Sequence, residues 1–475
     1  MSKSGGRRVL DTDFRSALQR MAARGRLDIC SAPLDPYLEV AAAMKRFDGG
    51  KAILFDDVAG ARMPVLGNFL ASRENCEAAF DLDAAAIREF VQQGLGTPIK
   101  PKQVKSVPAQ EIVYRDNLDI GALLPVLHHT AEDSGRFITA GLVIAQDPET
   151  EIYNASYHRL QLLGGDRVAI KMDFGRHLRA AYERAVAQGR TLPVAICLGA
   201  DIALQYMAAT MGSQLPEHVD ELWVAGGLAG RPLPIAPALT QKLDIPAASE
   251  IVIEGEILID DMVEEGPFGE FVGYLSSVGP CPVLKVSAVT TRANPIYHAI
   301  NGFGRETVML RKYVLEASLL KTLRAATPIV RDVEMTAGGL HRFHAIIQVE
   351  KHSPMHDGWQ RNAILAAFGA LKDLDQVIVV DEDIDIHDPA DVEYALATRM
   401  EASSDLILIP GARGHEYVRI SKNGIRAKLG IDATVPFADK PRFARCAFAP
   451  IRLNAEDFAP AKDRLSTFLK ENTQT

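Results

Sequence analysis

The sequence predicts a multidomain protein of the α+β class, and three observations support this. Its 475 residues exceed what one hydrophobic core usually encloses. Helical and strand patterns alternate in the first hundred residues and again after residue 305, whereas the stretch between them is rich in strands. We therefore expect an N-terminal α/β domain at 1–105, a central β domain at 106–305 and a C-terminal α/β domain at 306–475.

The N-terminal stretch alternates helix and strand. Apolar residues Phe14, Leu18 and Met21 recur at helical spacing, and a strand pattern follows at 26–30. Further helices are predicted at 38–47, 73–80 and 84–93, with strands at 52–55 and 63–66. The segment T-P-I-K-P-K at 97–102 interrupts the alternation and marks the first boundary.

The central stretch consists mainly of strand patterns joined by turns. D-P-E-T and G-G-D separate the first three strands, which is typical of hairpins. The predicted strands are 137–145, 152–163, 168–174, 192–198, 250–259 and 283–289. Strands joined in this way favour an antiparallel barrel or sandwich, at whose mouth a cofactor commonly binds.

The C-terminal stretch returns to alternating helix and strand. Helices are predicted at 307–325, 361–371 and 389–400, and strands at 329–333, 343–350, 376–380 and 406–409. A last amphipathic helix is expected at 457–470, where it could form an oligomer contact.

Net charge, cysteine spacing and the distribution of apolar residues argue against several classes of function. A formal net charge of −9 provides no general attraction to nucleic-acid phosphates. Five widely spaced cysteines without a C-x-x-C pair indicate neither a disulfide framework nor a zinc knuckle. The N-terminus lacks the apolar core of a signal peptide and no run is long enough to span a membrane, so we expect a cytoplasmic protein.

Three polar residues of the central stretch form a candidate metal site. Asn154, His177 and Glu221 combine oxygen, nitrogen and carboxylate donors, a set that suits manganese or magnesium. On the residues alone a structural interpretation remains open. Asn154 would then cap a turn, His177 would end a strand and Glu221 would be a solvated carboxylate on a helix.

A second candidate group combines Arg159 with the two carboxylates of E-G-P-F-G-E, Glu265 and Glu270. A guanidinium between two carboxylates would hold them in place and lower their pKa, whereas burial would raise it. Such a carboxyl group can donate a proton near neutral pH. The alternative is an acidic solvated loop, since further acidic residues directly precede the motif.

Other motifs argue against a dinucleotide fold. Neither N-G-F-G-R-E at 301–306 nor A-G-G-L-A-G-R at 225–231 completes G-x-G-x-x-G between a strand and a helix. A cluster of basic residues between 413 and 428 could meet a phosphate or carboxylate, but such a run is commonly a solvated face.

Several motifs together resemble the UbiD family of prenylated-FMN-dependent decarboxylases. They are N-A-S-Y-H-R at 154–159, R-H at 176–177, D-E-L-W-V-A-G-G-L at 220–228, E-I-V-I-E-G-E at 250–256, E-G-P-F-G-E at 265–270 and A-K-L-G-I-D-A-T-V-P at 427–436. The resemblance implies a central split β-barrel of the flavin-reductase-like type that binds prenylated flavin and metal, between two α/β domains.

The resemblance also assigns roles in binding the cofactor. Asn154, His177 and Glu221 would hold Mn²⁺, or Mg²⁺, with K⁺ possible nearby, and this metal would bind the cofactor phosphate. The implied cofactor-binding residues are Asn154, Ser156, Arg159, His177, Glu221 and Lys428. On a flat strand Asn154 and Arg159 would face opposite sides, so we expect a bulge or strong twist between them.

The implied reaction is reversible non-oxidative decarboxylation of an aromatic, heteroaromatic or α,β-unsaturated carboxylic acid, through a covalent adduct with the flavin. Glu270 would protonate the carbon that loses CO₂, Arg159 would orient the substrate carboxylate, and Glu265 would keep Arg159 in place and tune Glu270. A flavin prenyltransferase would supply the cofactor. A homo-oligomer, dimer or hexamer, is the expected assembly.

Four residues are candidates for the substrate pocket: His298, Phe303, Arg305 and Arg311. Their charges would suit a polar aromatic or heteroaromatic acid, or one with a second anionic group, better than a hydrocarbon acid.

Two other functions compete with this one. A non-catalytic flavin-binding subunit of a carboxylase complex would be expected to lack the Glu-Arg-Glu set, and all three residues are present. A metal-dependent hydrolase would use Glu270 as base on a metal-bound water, and its active preparations would contain metal without flavin.

Overall fold

The computed structural model describes residues 9–173, 175–209, 215 and 218–446, and the predicted α+β multidomain class is confirmed. The helices of this part are α1 Phe14–Ala23, α2 Glu39–Arg46, α3 Arg73–Phe80, α4 Ala84–Gly96, α5 Ile120–Leu123, α6 His177–Ala187, α7 Ile202–Ala208, α8 Glu221–Ala229, α9 Arg305–Ala326, α10 Trp359–Ala370, α11 Pro389–Arg399 and α12 Ala402–Asp405.

The strands of the described residues form four sheets. They are β1 Leu27–Cys30, β2 Ala52–Phe55, β3 Val65–Gly67, β4 Lys102–Gln103, β5 Ile112–Tyr114, β6 Phe137–Ile138, β7 Leu142–Gln146, β8 Tyr153–Tyr157, β9 Leu160–Gly164, β10 Arg167–Ile170, β11 Leu192–Leu198, β12 Pro234–Pro237, β13 Asp244–Pro246, β14 Ile251–Glu265, β15 Gly279–Thr291, β16 Tyr297–His298, β17 Val330–Met335, β18 His344–Val349, β19 Gln376–Asp381, β20 Leu406–Arg413 and β21 Ile425–Ala433.

The N-terminal sheet has the order β1-β2-β3-β16, so its last strand comes from far along the chain. Apolar β2 is buried nearly throughout, as its pattern predicts. The helices α3 and α4 begin with side-chain caps: Ser72 accepts from the N–H of Asn75, and Asp83 from that of Ala86.

The central sheet has nine antiparallel strands and curls into a half-barrel. Its order is β6-β9-β10-β15-β14-β11-β7-β8, and β5 adds to β15. The long β14–β15 hairpin runs through the middle and carries Glu265 at its end. The antiparallel arrangement follows from the short turns, such as the one after Gly164 that joins β9 to β10.

The C-terminal sheet has the order β17-β18-β19-β21-β20, with three parallel strands in the middle and an antiparallel strand at each edge. Helix α10 packs on β19 and β21. The helix predicted at 457–470 lies outside the described residues.

Two hydrophobic cores meet along helix α9. One core extends from the N-terminal sheet through the central sheet and includes Leu310 and Val314. The other lies under the C-terminal sheet and includes Leu315 and Leu319. Because α9 contributes to both cores, it fixes the space between the central and C-terminal sheets.

The predicted boundaries at 105 and 305 stay predictions. Strand β4 pairs with β12, and β16 pairs with β3, so backbone hydrogen bonds join the two sides of the boundary at 105. None of the described helices combines the length and apolar character that a membrane span requires.

Candidate active site

A cavity of about 540 Å³ lies between the half-barrel and the C-terminal sheet. Its walls come from β8, the start of α6, the loop after β14, helix α9 and loops of the C-terminal part. The lining residues that carry chemistry are Asn154, Ser156, Arg159, Lys171, Asp173, Arg176, His177, Glu221, Glu270, Arg311, Arg342, Lys372, His415 and Tyr417.

The predicted strand 152–163 is interrupted, and this interruption brings Asn154 and Arg159 to the same cavity. Strand β8 ends at Tyr157 and pairs with β7, whereas β9 starts at Leu160 and pairs with β6 and β10. At the break, His158 bonds through Nε2 to Ser156 Oγ (3.0 Å) and through Nδ1 to the carbonyl of Lys171 (2.8 Å). The change of strand partner between β8 and β9, and not a bulge, therefore lets Asn154 and Arg159 face the same cavity.

Asn154 and Glu221 are in direct contact. The Asn154 amide donates to Glu221 Oε1 (3.1 Å), the Ala155 N–H donates to Oε2 (3.0 Å), and Ser156 Oγ donates to Asn154 Oδ1 (2.9 Å). Glu221 begins α8 and is only 3% exposed. Burial raises the pKa of Glu221 to about 8. The alternative of a solvated Glu221 is therefore wrong.

His177 lines the same cavity from the first residue of α6. The expectation of a strand end at this position was incorrect, because a helix starts there. The N-cap residue, Arg176, makes no side-chain cap to this helix. The helix therefore presents its positive end without a capping side chain.

The three donors fit a divalent cation. In the part of the chain that the structure describes, the partners of the Glu221 carboxylate are an amide and a backbone N–H, both neutral. A buried carboxylate with no cationic partner is costly, and a metal ion would supply the missing charge. Asn154 and His177 add oxygen and nitrogen donors that Mn²⁺ or Mg²⁺ accepts.

Arg159 lies between Glu265 and Glu270. Its Nε and Nη2 donate to the two oxygens of Glu265 (2.7 and 2.8 Å), and its Nη1 bonds to Glu270. The side chain of Glu265 is fully buried, whereas that of Glu270 is 15% exposed and faces the cavity. Burial alone would lower the pKa of Arg159, but the bond to Glu265 and the charge of this carboxylate outweigh burial and raise it.

The loop 266–271 is held from several sides. Its Gly266–Pro267 peptide is cis, and Gly266 has φ +89°, a backbone conformation that favours glycine. The N–H of Gly269 donates to Asp133 Oδ1 (2.8 Å), and the N–H of Phe268 donates to Ser276 Oγ (3.1 Å). Glu270 is therefore presented by a fixed loop and not by a solvated acidic segment.

Lys428 does not reach the cavity, and its expected role as a cofactor contact is corrected. It lies on β21, where its ammonium bonds to the carbonyls of Lys372 (2.8 Å) and Leu374. Lys372 itself is among the lining residues of the cavity, whereas Lys428 is not.

Three of the four predicted substrate-pocket residues also lie elsewhere. His298 is buried beside Glu306, to which its Nε2 bonds at 2.9 Å. Phe303 is exposed under Lys45, whose Nζ lies 4.0 Å from the ring centre. Arg305 lines a separate cavity of about 500 Å³ beside the N-terminal part. Only Arg311 lines the central cavity.

Sequence reasoning missed several cavity residues of the C-terminal part. Arg342, Lys372, His415 and Tyr417 lie on loops beside the C-terminal sheet, far from the motifs in sequence. The Tyr417 hydroxyl donates to Asp173 (2.8 Å) and so connects this part to the half-barrel. The cluster of basic residues between 413 and 428 is a weak sequence signal for this part, since such a cluster can bind an anion.

Comparisons with known proteins match the whole architecture. Three family models described as 3-octaprenyl-4-hydroxybenzoate carboxy-lyase domains match the chain: the N-terminal model at 18–93, the Rift-related model at 101–304 and the C-terminal model at 308–433.

Two characterised relatives match most of the chain. An anhydromevalonate phosphate decarboxylase of Methanosarcina mazei is 33% identical over 91% of this chain and 98% of its own length. A gallate decarboxylase of Lactiplantibacillus plantarum is 31% identical over 85% and 87%, respectively.

Two solved structures of the UbiD-class enzyme HmfF from Pelotomaculum thermopropionicum are also similar. The complex with FMN is 36% identical, covers 96% of this chain and 99% of its own, and has a TM-score of 0.87. An evolved dimeric form with prenylated FMN is 34% identical, covers 95% and 100%, and has a TM-score of 0.83.

Proposed function

The chain belongs to the UbiD family, and we propose that it decarboxylates an aromatic, heteroaromatic or α,β-unsaturated acid with prenylated FMN. It is a carboxy-lyase by this membership. The observation that carries the proposal is Arg159 held between Glu265 and Glu270 at the wall of a cavity large enough for a flavin.

The phosphate end of the cofactor would be held at the start of α6. Asn154, His177 and Glu221 would bind Mn²⁺ or Mg²⁺, with K⁺ possible nearby, and the metal would bind the phosphate. The uncapped positive end of α6 favours an anion at the same place. Ser156 would be a further contact to the cofactor. When bound, the prenylated flavin supplies the covalent chemistry that activates the unsaturated acid.

Arg159 would bind and orient the substrate carboxylate. Its guanidinium is fixed by the fork to Glu265 and stacks over the ring of Phe268, whose centre is 5.5 Å from Cζ. A fixed guanidinium costs little reorganisation when substrate binds. Glu265, which is fully buried, would act on the reaction by positioning Arg159.

Glu270 would donate the proton to the carbon that loses CO₂. It is the carboxylate of the pair that faces the cavity, and its bond to Arg159 supports this role, because an acid bound to Arg159 would lie beside its oxygen. The loop that carries Glu270 also contributes Phe268 and Phe271, whose rings help to exclude water. The reaction is reversible, since the same carboxylate can remove that proton.

The relatives' names support this substrate class. One relative is a gallate decarboxylase, which acts on an aryl acid, and the other is an anhydromevalonate phosphate decarboxylase; both cover most of the chain. The solved complex with prenylated FMN supports the cofactor.

The test is to produce the protein together with a flavin prenyltransferase and to assay CO₂ release from a panel of aryl, heteroaryl and unsaturated acids. We expect flavin absorbance in the purified protein and CO₂ release from at least one acid. A fully active preparation that contains metal but no flavin would point to a hydrolase instead. Flavin-loaded protein that releases no CO₂ from any acid would point to a non-catalytic subunit.

A further inference from the structure

We propose that the acid substrate carries a second oxyanion, a carboxylate or a phosphate, and that Arg311 and Arg342 bind it. This inference rests on the proposed function and extends it to the substrate class. The argument comes from two guanidinium groups at the cavity, whose N–H groups are wholly (Arg311) or partly (Arg342) without a bonded partner among the described residues.

Arg311 is the first of these cations. It lies on α9 and lines the cavity, and no hydrogen bond or ion pair of its guanidinium occurs in the described part of the chain. Burial, together with the charges of Arg342 and Arg176, lowers the pKa of Arg311 to about 9. Arg311 is partly buried, and a partly desolvated guanidinium without a bonded partner fits a site at which a bound anion supplies that partner.

Arg342 is the second cation, and it is held in place from below. Its Nε and Nη2 both bond to Asp373 Oδ2 (2.8 and 2.7 Å), which leaves Nη1 without a bond to a described residue. Its Cζ lies 5.3 Å from the centre of the Phe271 ring. The guanidinium is therefore preorganised, with one edge available to a ligand.

The charge on this wall is positive overall. The cations that face one another here are Arg176, Arg311, Arg342 and Lys372, and the carboxylates are Asp173 and Asp373. Asp173 accepts from Tyr417, and Asp373 is occupied by Arg342. Burial and the charge of Arg342 lower the pKa of the neighbouring His415 to about 3, so His415 adds no charge near neutral pH. Four cations against two carboxylates leave an excess of two positive charges.

The wall also lies at a suitable distance from the reacting end. Phe271 directly follows Glu270 in the chain, and its ring lies under Arg342. Arg342 is therefore about one residue and one aromatic ring away from the Glu-Arg-Glu group. A flat acid bound to Arg159 by its reacting carboxylate would extend into the same cavity that Arg311 and Arg342 line.

The other anion that these arginines could meet is the cofactor phosphate. That phosphate has its own binding groups in the proposed site, namely the metal ligands and the positive end of α6. Arg176 lies next to the positive end of α6, so the inference does not include it and rests on Arg311 and Arg342. If these arginines bind the substrate, Arg311→Met should retain flavin; if they bind the cofactor phosphate, Arg311→Met should lose it.

The experiment measures equilibrium binding to flavin-loaded protein by calorimetry. The ligands are benzene-1,3- and 1,4-dicarboxylate, furan-2,5-dicarboxylate and 4-(phosphonooxy)benzoate, each against the matched acid in which methyl replaces the second anion. The proteins are wild type, Arg311→Met, Arg311→Lys and, as a control, Lys321→Met, which removes an exposed cation from the same helix.

We expect at least one dianion to bind wild type more tightly than its matched acid by about 10- to 100-fold, the effect of one charge-assisted hydrogen bond or two. Arg311→Met should abolish this preference, Arg311→Lys should retain part of it, and Lys321→Met should leave it unchanged. Flavin content should be the same in all four proteins. Which dianion prevails distinguishes a carboxylate from a phosphate.

Two results would overturn the inference. One is equal binding of dianions and matched acids by wild type. The other is loss of flavin from Arg311→Met, with its fold intact by circular dichroism, because the arginine would then hold the cofactor. Both are read without turnover, so they are distinct from failure of the proposed function, in which flavin-loaded wild type releases no CO₂ from any acid.

Discussion

At the scale of single residues, Arg159 joins structure and chemistry. Its guanidinium is nearly buried, and three charged hydrogen bonds to two carboxylates offset the free-energy cost of its desolvation. Without Arg159, the carboxylate of Glu265 would remain buried and unpaired. Arg159 would therefore both stabilise the fold and bind the substrate.

Arg159→Met should destabilise the protein by about 3–5 kcal/mol, because it leaves a fully buried carboxylate without its partner. The measurement is chemical denaturation of the flavin-free protein. Arg24→Met is the control, since the Arg24–Asp81 pair is about half exposed and should contribute about 1 kcal/mol or less. Equal free energies of unfolding for the two variants would show that the buried pair contributes no more to stability than the exposed pair.

Glu270→Gln should lower kcat by about 10²- to 10⁴-fold, the usual contribution of a general acid. Flavin and metal content should not change, because Glu270 contacts neither Asn154 nor Glu221. Turnover and deuterium incorporation from D₂O are the readouts. A variant with normal values of both would show that another group donates the proton.

Because His129 is buried, we expect the folded protein to lose stability in acid. Burial, and to a lesser extent the charge of His128, lowers its pKa from 6.5 to about 3. Below pH 6.5 the unfolded chain therefore binds a proton that the folded protein does not, so stability falls as pH decreases toward 3. Between pH 7 and 4.5 this effect amounts to about 2–3 kcal/mol.

The measurement compares the unfolding free energies of wild type and His129→Leu at pH 7 and 4.5. The variant should lose about 2–3 kcal/mol less than wild type over this range. His352→Leu, at an exposed histidine, should lose as much as wild type. Parallel curves for wild type and His129→Leu would contradict the prediction.

The sequence could predict residues carried by compact motifs. Asn154, His177, Glu221 and the Glu-Arg-Glu set line or adjoin one cavity because their motifs fix them on strand ends, helix starts and one short loop. Arg305 and Arg311 were predicted together, yet only Arg311 faces the cavity. Six residues along a helix correspond to a rotation of ~240°, so the two side chains leave α9 on different faces.

At the scale of elements, the loop 266–271 depends on close packing against the loop that precedes α9. A Cβ on Gly302 would clash with the carbonyl of Gly269 and approach the Phe268 ring to within 2.7 Å. The neighbours are backbone and a packed ring, neither of which can yield easily. Glycine at 302 therefore allows the loop to hold Glu270 where it is.

Gly302→Ala should reduce kcat by at least about 10-fold, because it displaces the loop that carries Glu270. Gly279→Ala is the matched control, since a Cβ there meets nothing within 4 Å. The comparison uses steady-state kinetics of flavin-loaded protein. Equal activity of the two variants would show that the loop position does not matter.

Local sequence patterns predict most of the helices and strands, but they do not predict the elements that depend on pairing with a strand far away in sequence. The helix α3 and the strand β2 have the predicted bounds, since each has a clear period and a clear cap or turn. The split of 152–163 into β8 and β9 was not predictable, because it depends on two different partner strands. Helix α6 was missed because a strand pattern leads into it.

At the scale of the whole molecule, the cavity exists because two bodies with separate cores face each other across α9. Contacts from loops of both parts bridge the opening. The Tyr417–Asp173 hydrogen bond is one, and the bond from Arg419 to the carbonyl of Leu275 (2.8 Å) is another. The chain separation of about 240 residues explains why no sequence pattern could reveal this contact.

Tyr417→Phe should speed flavin dissociation about 3- to 10-fold, because it removes one hydrogen bond that holds the two bodies together over the cofactor. Stopped-flow measurement of flavin release is the assay. Tyr394→Phe, at a tyrosine exposed on the C-terminal part, should leave the rate unchanged. An identical release rate for wild type and Tyr417→Phe would contradict a bridging role.

Exchange of ¹³C-labelled bicarbonate into the carboxyl group of the panel acids tests the central claim most directly, because it reports cleavage of the carbon–carbon bond whichever direction is favoured. The account predicts exchange into at least one acid by protein loaded with prenylated FMN, and none by flavin-free protein. Flavin-loaded protein that exchanges label into no acid of the panel would contradict it.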